Sequence, residues 1–172
     1  MNEKVLEIYS ELNDLEMIEA CGEALCELKN RRIIKTKNTV GDIGEWFVMQ
    51  FYNEDLKFPN LQGMPIGTKY FDARSEDGKR YAIKTTTTKA TGVFHGLNEP
   101  NCELPEEQRF EYVVIVVLHS DCLLPQEVYE ISWDDFLAHR KWSNSKKAWN
   151  LTLNRQLKKE AKLVFKTNAQ TV

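Results

Sequence analysis

Apolar residues recur every three or four positions from Val5 through Ile8, Leu12, Leu15, Ile18, Cys21 and Leu25 to Leu28. That spacing predicts an amphipathic helix. Asn13-Asp14 divides it in two, with Asp14 as a fresh N-cap. The stripe reads as packing surface, with a dimer interface as the alternative. The same period returns at Val40, Ile43, Phe47, Val48 and Phe51, so another helix runs from a cap at Thr39 or Asp42 to about Tyr52. Between 53 and 67, Pro59, Gly63, Pro65 and Gly67 prevent a long element. Leu56-Lys57-Phe58 reads there as a short strand, and Leu61 to Ile66 as a loop or a second strand.

The segments Lys69 to Ser75 and Lys79 to Lys84 read as two strands joined around Asp77-Gly78. A two-residue Asp-Gly loop pairs Glu76 with Lys79, which puts Asp72 opposite Ile83 and sends Lys84 to the other face. A three-residue loop, with Gly78 left-handed, pairs Ser75 with Lys79. Asp72 then lies opposite Ala82, Lys84 lies opposite Tyr70, and Asp72, Ala82 and Lys84 share one face. The second register is the expected one. Gly92, Gly96, Asn98, Pro100 and Asn101 mark a long loop, with Phe94 and His95 at its centre and a short helix over Leu104 to Gln108. Tyr112 to Leu118 is apolar almost throughout, as in a strand buried on both faces. Glu127 to Ile131 reads as an edge strand. Ser132-Trp133-Asp134-Asp135 is a capping box opening a helix through about His139. A short strand over Trp149 to Leu153 and a basic helix from Asn154 to about Leu163 close the chain, with the last residues disordered. The order gives a mixed sheet flanked by helices, an α/β or α+β sandwich.

Composition narrows the classes. The chain has 172 residues, 42% of them hydrophobic and 28% charged, which suits one domain with one core. A net charge of −3 and a pI near 5.7 exclude a wholly basic surface but leave room for a local basic cleft. The cysteines, Cys21, Cys26, Cys102 and Cys122, form no CxxC pair, and His95, His119 and His139 are scattered, so a structural zinc site is not expected. With no secretory h-region and no apolar run of membrane-spanning length, the expected setting is a reducing cytoplasm, with no membrane partner.

Two features carry candidate chemistry. Asp72 and Lys84, brought together across the hairpin, suit a metal-dependent phosphodiester site, or else form an ordinary ion pair. Basic residues also cluster. Lys29, Arg31, Arg32, Lys35 and Lys37 fall within nine positions, and Lys146 and Lys147 lie between Trp142 and Trp149, an interleaving that suits contact with a nucleic-acid backbone.

With Glu45 on an early helix, Asp72 on a strand and Lys84 ending the partner strand, the chain resembles the restriction-endonuclease-like PD-(D/E)XK nuclease superfamily. Gly41-Asp42-Ile43-Gly44-Glu45-Trp46, Tyr70 to Ala73 and Asp77 to Thr85 look like small bacterial members of it, and the resemblance covers roughly 36–135. It implies a restriction-endonuclease-like mixed sheet in a single domain: a helical segment over 1–35, the nuclease-like core over 36–135 and a basic strand and helix segment over 136–172. It implies a Mg²⁺ or Mn²⁺-dependent DNA endonuclease of restriction or antiphage-defence type. Asp72 is then the main metal ligand, Glu45 completes the shell through water, and Lys84 orients the attacking water. Nucleic acid, DNA ahead of RNA, is the expected partner. It would be contacted by Arg31, Arg32, Lys35, Lys37, Thr85, Thr86, Lys89, Lys146 and Lys147, with a homodimer or a larger subunit as possible company.

The departure is at position 82. The family places Glu or Gln there as a second metal-facing oxygen, and this chain has Ala82. Three accounts stand open. The residue was introduced to stop catalysis, the chain is a natural inactive relative that binds without cutting, or another group such as Glu76, Asp77 or a backbone carbonyl supplies the oxygen. On the first two, this form is weakened or inactive.

Overall fold

A computed structural model describes residues 3–167. In chain order the elements are α1 (Glu3–Ser10), α2 (Asp14–Asn30), α3 (Thr39–Glu54), β1 (Leu61–Gly63), β2 (Ala73–Ser75), β3 (Arg80–Thr86), β4 (Tyr112–Leu118), β5 (Pro125–Ser132), α4 (Trp133–His139), β6 (Lys141–Ser143), β7 (Ala148–Asn150), α5 (Arg155–Glu160) and β8 (Lys162–Lys166). The main sheet has six strands in the order β1-β2-β3-β4-β5-β8, and β6 and β7 form a separate ribbon. β3 and β4 are parallel, and the other neighbours in the main sheet are antiparallel. The architecture is mixed α+β, a mixed sheet flanked by helices.

β4 explains the layering. Its side chains alternate between the two faces and are apolar on both, so each face needs a cover. Val114 and Val116 pack with Val48 and Tyr52 of α3 and with Tyr81, Ile83 and Val128. Val113 and Ile115 pack with Phe110, Phe136, Leu151 and Leu157 on the other face. Burying each such side chain stabilises by about 1.5–3 kcal/mol, so a slip of one residue would cost heavily on both faces. One polar contact threads the α3 side: the buried Tyr52 hydroxyl donates to Glu130 Oε2 at 2.7 Å.

Several local expectations are corrected. β5 is an interior strand, because Lys162–Lys166 pairs with it as β8. The last helix therefore stops at Glu160: Ala161 is already extended, and Leu163-Val164-Phe165 suits a strand. Phe165 sets its ring against Phe47 and Phe51, with centroids 5.1 and 5.5 Å apart. The expected terminal disorder concerns residues from 168 on, which lie outside the described residues. Asn13, not Asp14, caps α2, in a capping box with Glu16. Asn38, not Thr39 or Asp42, caps α3. The first short strand is Leu61–Gly63, while Leu56 to Phe58 is irregular. No helix forms over 104–108. The strand expected at Trp149 to Leu153 is Ala148–Asn150, paired with Lys141–Ser143. The loop before β4 is pinned to this ribbon by a backbone bond from Phe94 N to Trp149 O at 2.7 Å, and to the segment after it by one from Leu153 N to Lys89 O at 2.7 Å.

α1 and α2 bury none of their residues. Among the described residues, no helix is long and apolar enough to cross a membrane.

The seat of α3 on the sheet depends on Gly44. A Cβ there would lie 1.9 Å from Thr85 Oγ1 and 2.8 Å from Thr85 Cβ. Gly44→Ala is expected to destabilise the fold by about 1–3 kcal/mol through overpacking, read as a lower urea midpoint. Adding Thr85→Ala is expected to recover part of that loss, since Thr85 Cβ remains close.

Candidate functional site

The hairpin loop holds three residues, Glu76-Asp77-Gly78. Ser75 N donates to Lys79 O at 2.9 Å, and Gly78 takes a left-handed φ of +86°. Ala73 pairs with Tyr81 and Arg74 with Arg80. This register sets Asp72 across from Ala82. The pairing then ends, because the chain turns away at Tyr70, whose φ is +76°, so Tyr70 does not pair with Lys84. The freed edge of β3 still needs an acceptor. Asp72 supplies it through its side chain, whose Oδ2 accepts Ile83 N–H at 2.7 Å, while its own N–H donates to Tyr81 O at 2.8 Å. A carboxylate thus stands where a strand carbonyl would otherwise stand.

The other wall comes from α3. Asp42 is buried, and its Oδ2 accepts the N–H groups of Lys35 at 2.8 Å and Thr36 at 2.6 Å, with the Thr36 hydroxyl at 3.0 Å. These bonds fold the basic connector back onto the helix. Glu45, one turn further along, is left facing a cleft of about 230 Å³ lined by Lys35, Asp42, Glu45, Phe71, Asp72 and the loop from Met64 to Thr68. Burial pushes the Glu45 carboxyl up to about 7, and the negative charge of Asp72 pushes in the same direction against the opposing pull of Lys35. Glu45 and Asp72 therefore share one electrostatic environment, and Glu45 is poised to exchange a proton near neutral pH.

Lys84 enters from the other side of the sheet. Its Nζ sits over the Phe94 ring, 5.1 Å from the centroid, and no ion pair joins it to Asp72 or Glu45 among the described residues. Its positive charge still favours the ionised form of Glu45. Asp72 and Lys84 are therefore not a simple cross-strand salt bridge. Ala82 is fully buried among Phe94, Phe110, Val113 and Ile115 and offers the cleft no oxygen.

The remaining candidates fall into separate places. Lys35 lines the cleft. Arg31 pairs with Glu27 at 2.7 Å, while Arg32 and Lys37 are exposed in the connector. Lys89 and His95 are exposed on the long loop, and Lys146 and Lys147 are exposed between β6 and β7. The Thr86 hydroxyl donates to Ala90 O at 2.7 Å. The Thr85 hydroxyl is buried against Gly44 with no hydrogen-bond partner. Glu76 pairs with Asn60, and Asp77 with Ser75 and Lys79, at the far end of the hairpin. Sequence reasoning missed Asp42 as the anchor of the connector and Phe94 as the rest for Lys84. Asp42 sits in a capping context that suggested a different job, and Phe94 reaches Lys84 only through the packing of a long loop.

Two close carboxylates beside a cleft suit a hard divalent ion that keeps most of its water, since Mg²⁺ is commonly held by one or two carboxylates plus substrate phosphate. No group of three or more His, Cys, Asp or Glu side chains placed to hold a metal occurs among the described residues. Glu45 and Asp72 are the two carboxylates that could hold such an ion, with water completing its shell. No protein-family model and no curated protein matches the chain.

Two outcomes test this geometry. Asp72→Ala is expected to cost about 1–3 kcal/mol by orphaning the Ile83 N–H, whereas Asp72→Asn keeps an oxygen acceptor and is expected to cost much less in the same urea titration. Glu45 holds its proton in the folded chain up to about pH 7, but in the unfolded chain only to its ordinary value near 4.5. Its contribution to stability is full below about 4.5 and is lost as pH rises toward 7. Glu45→Gln, always neutral, is expected to match the unsubstituted chain at the acid end and to become progressively more stable than it across that window. A difference that stayed constant with pH would contradict the raised Glu45.

Proposed function

We propose that this chain is a restriction-endonuclease-like, metal-dependent phosphodiesterase acting on DNA, attenuated at position 82. The observation that supports the reading best is the pairing of Glu45 with Asp72 in one cleft, with a lysine not bound to either carboxylate close enough to act on the same field. Glu45 and Asp72 would hold a Mg²⁺ ion, whose chemistry is to polarise the phosphoryl oxygen and acidify a bound water. Asp72 is held in place by the Ile83 N–H, so its free oxygen is aimed by the edge of β3. Lys84, resting on Phe94, would offset charge developing on the phosphate. Lys35 at the mouth of the cleft, with Arg31, Arg32 and Lys37 behind it, would hold the incoming backbone. The proposed setting is cytoplasmic, in restriction or antiphage defence.

One observation favours a second reading. Ala82 lies in the apolar core and brings no ligand oxygen, so the chain would bind nucleic acid on the same scaffold without cutting it. One experiment separates the two. Supercoiled plasmid is incubated with Mg²⁺ and the unsubstituted chain, Ala82→Gln or Ala82→Glu. On the first reading, an oxygen restored at 82 gives Mg²⁺-dependent nicking or cutting, and a further Lys84→Ala lowers the rate about 10²–10³-fold. On the second, no form cuts, while binding persists, weakens with salt and is reduced by neutralising Lys146 and Lys147. Absence of both cutting and salt-sensitive binding over varied DNA and RNA would sink both readings.

A further inference from the structure

We propose that α2 is a homodimerisation helix, and that two copies of the chain pair antiparallel along Leu15, Ile18, Gly22 and Leu25. The proposal is independent of the nuclease reading and begins from an energetic gap. α2 runs for 17 residues with a complete capping box, yet none of its residues is buried. Leu15 is 64% exposed, Ile18 69% and Leu25 42%. Helices in proteins draw most of their stability from packing an amphipathic face, and this one has the face without the cover. At 100° per residue the apolar side chains form one stripe, while Glu16, Glu19, Glu23 and Glu27 form a ridge away from it.

The charges say what covers the stripe. Residues 3–27 contain eight Asp or Glu and one Lys, which makes a phosphate backbone or anionic headgroup a poor cover and lets a second copy in only where the two acidic ridges face apart and opposite charges meet. The stripe itself carries opposite charges at its two ends. Asp14 in the first turn and Lys29 in the last lie on the same line as Ile18 and Leu25, at spacings of four, seven and four. A parallel copy would set like charges together at both ends. An antiparallel copy sets Asp14 against the partner's Lys29, Leu15 against the partner's Leu28 and Ile18 against the partner's Leu25, and continues to Glu11 against the partner's Arg32. The two-fold axis then falls between Cys21 and Gly22. Gly22 has no heavy atom within 4 Å of where a Cβ would stand, so the two helices are free to close to short range at the centre. Antiparallel helices also oppose their macrodipoles favourably. α1 also leaves Ile8 and Tyr9 exposed. The match is isologous, as a two-fold dimer requires.

Sedimentation equilibrium and light scattering on the full chain test the proposal. The expected mass is twice the 20.0 kDa of one chain. Ile18→Glu, at a site that contributes nothing to the core, is expected to give the single-chain mass with an unchanged urea midpoint for the sheet. Asp14→Lys and Lys29→Asp are each expected to weaken the dimer at least tenfold, and the double swap Asp14→Lys/Lys29→Asp to recover most of that loss. The recovery matters because the double swap worsens both helix-dipole contacts and is favourable only across an antiparallel pair. A single-chain mass at every concentration overturns the proposal. So does a dimer that Ile18→Glu leaves intact, which would place the contact elsewhere, and so does a double swap no tighter than its parents, which would refute the antiparallel register.

Discussion

The site depends on one hydrogen bond, the one from Ile83 N–H to Asp72 Oδ2. It lets β2 leave the sheet early without orphaning the edge of β3. That departure opens the cleft between the Met64 to Thr68 loop and α3. The same carboxylate then raises the proton affinity of Glu45 across the opening. An apolar residue at 72 would disturb both edge and field. An amide there would keep the edge and lose the field. Structural and chemical roles thus meet on one side chain, and stability and titration measured together can tell them apart.

Legibility in the sequence followed the range of the interactions. The three-residue turn was readable because Gly78 supplies the left-handed residue that such a loop needs, and because strict alternation then fixes Asp72 across from Ala82. β4 and the Ser132 capping box were readable for the same local reasons. β8 was not. Lys158 and Lys159 favour continuing a helix, and only the pairing of Lys162–Lys166 with β5, together with the seat of Phe165 on Phe47 and Phe51, makes that segment a strand. Once β8 was missed, β5 was bound to look like an edge. At the site, Glu45 and Asp72 were picked out by type and order and line one cleft, while Lys84 rests on Phe94. The tie from Asp42 to Lys35 and Thr36, and the perch of Lys84 on Phe94, depend on loops whose paths no period in the sequence encodes.

Ala82 sharpens the functional question because of where it sits. It belongs to the apolar face that holds Phe94 and Phe110, yet it neighbours Lys84 on that face and Asp72 across the strand gap. An oxygen-bearing side chain there would have to be accommodated within that hydrophobic cluster. Of the three acids that line the cleft, Asp42 is taken up by the Lys35 and Thr36 amides and one oxygen of Asp72 by the Ile83 amide. Any metal bound there would keep much of its water and lean on substrate phosphate for the rest. Affinity for the ion would then rise when nucleic acid is present, because substrate would complete the shell.

The overall charge conceals a division that bears on both proposals. Residues 1–27 hold eight acids and one lysine, a net of −7, so the chain's total of −3 leaves +4 on residues 28–172. The acidic balance that seemed to argue against nucleic acid therefore belongs to the helices that the core does not bury. Pairing those helices with a second copy would gather the acidic surface along one seam, with Lys29 and Arg32 neutralising its ends. The remaining basic residues would be left to the two cores. If the core binds phosphate as proposed, negative charge beside it would compete for its lysines over a Debye length of about 8 Å at physiological salt. A dimer seam is an arrangement in which acidic helices and a basic core coexist in one short chain without cancelling each other.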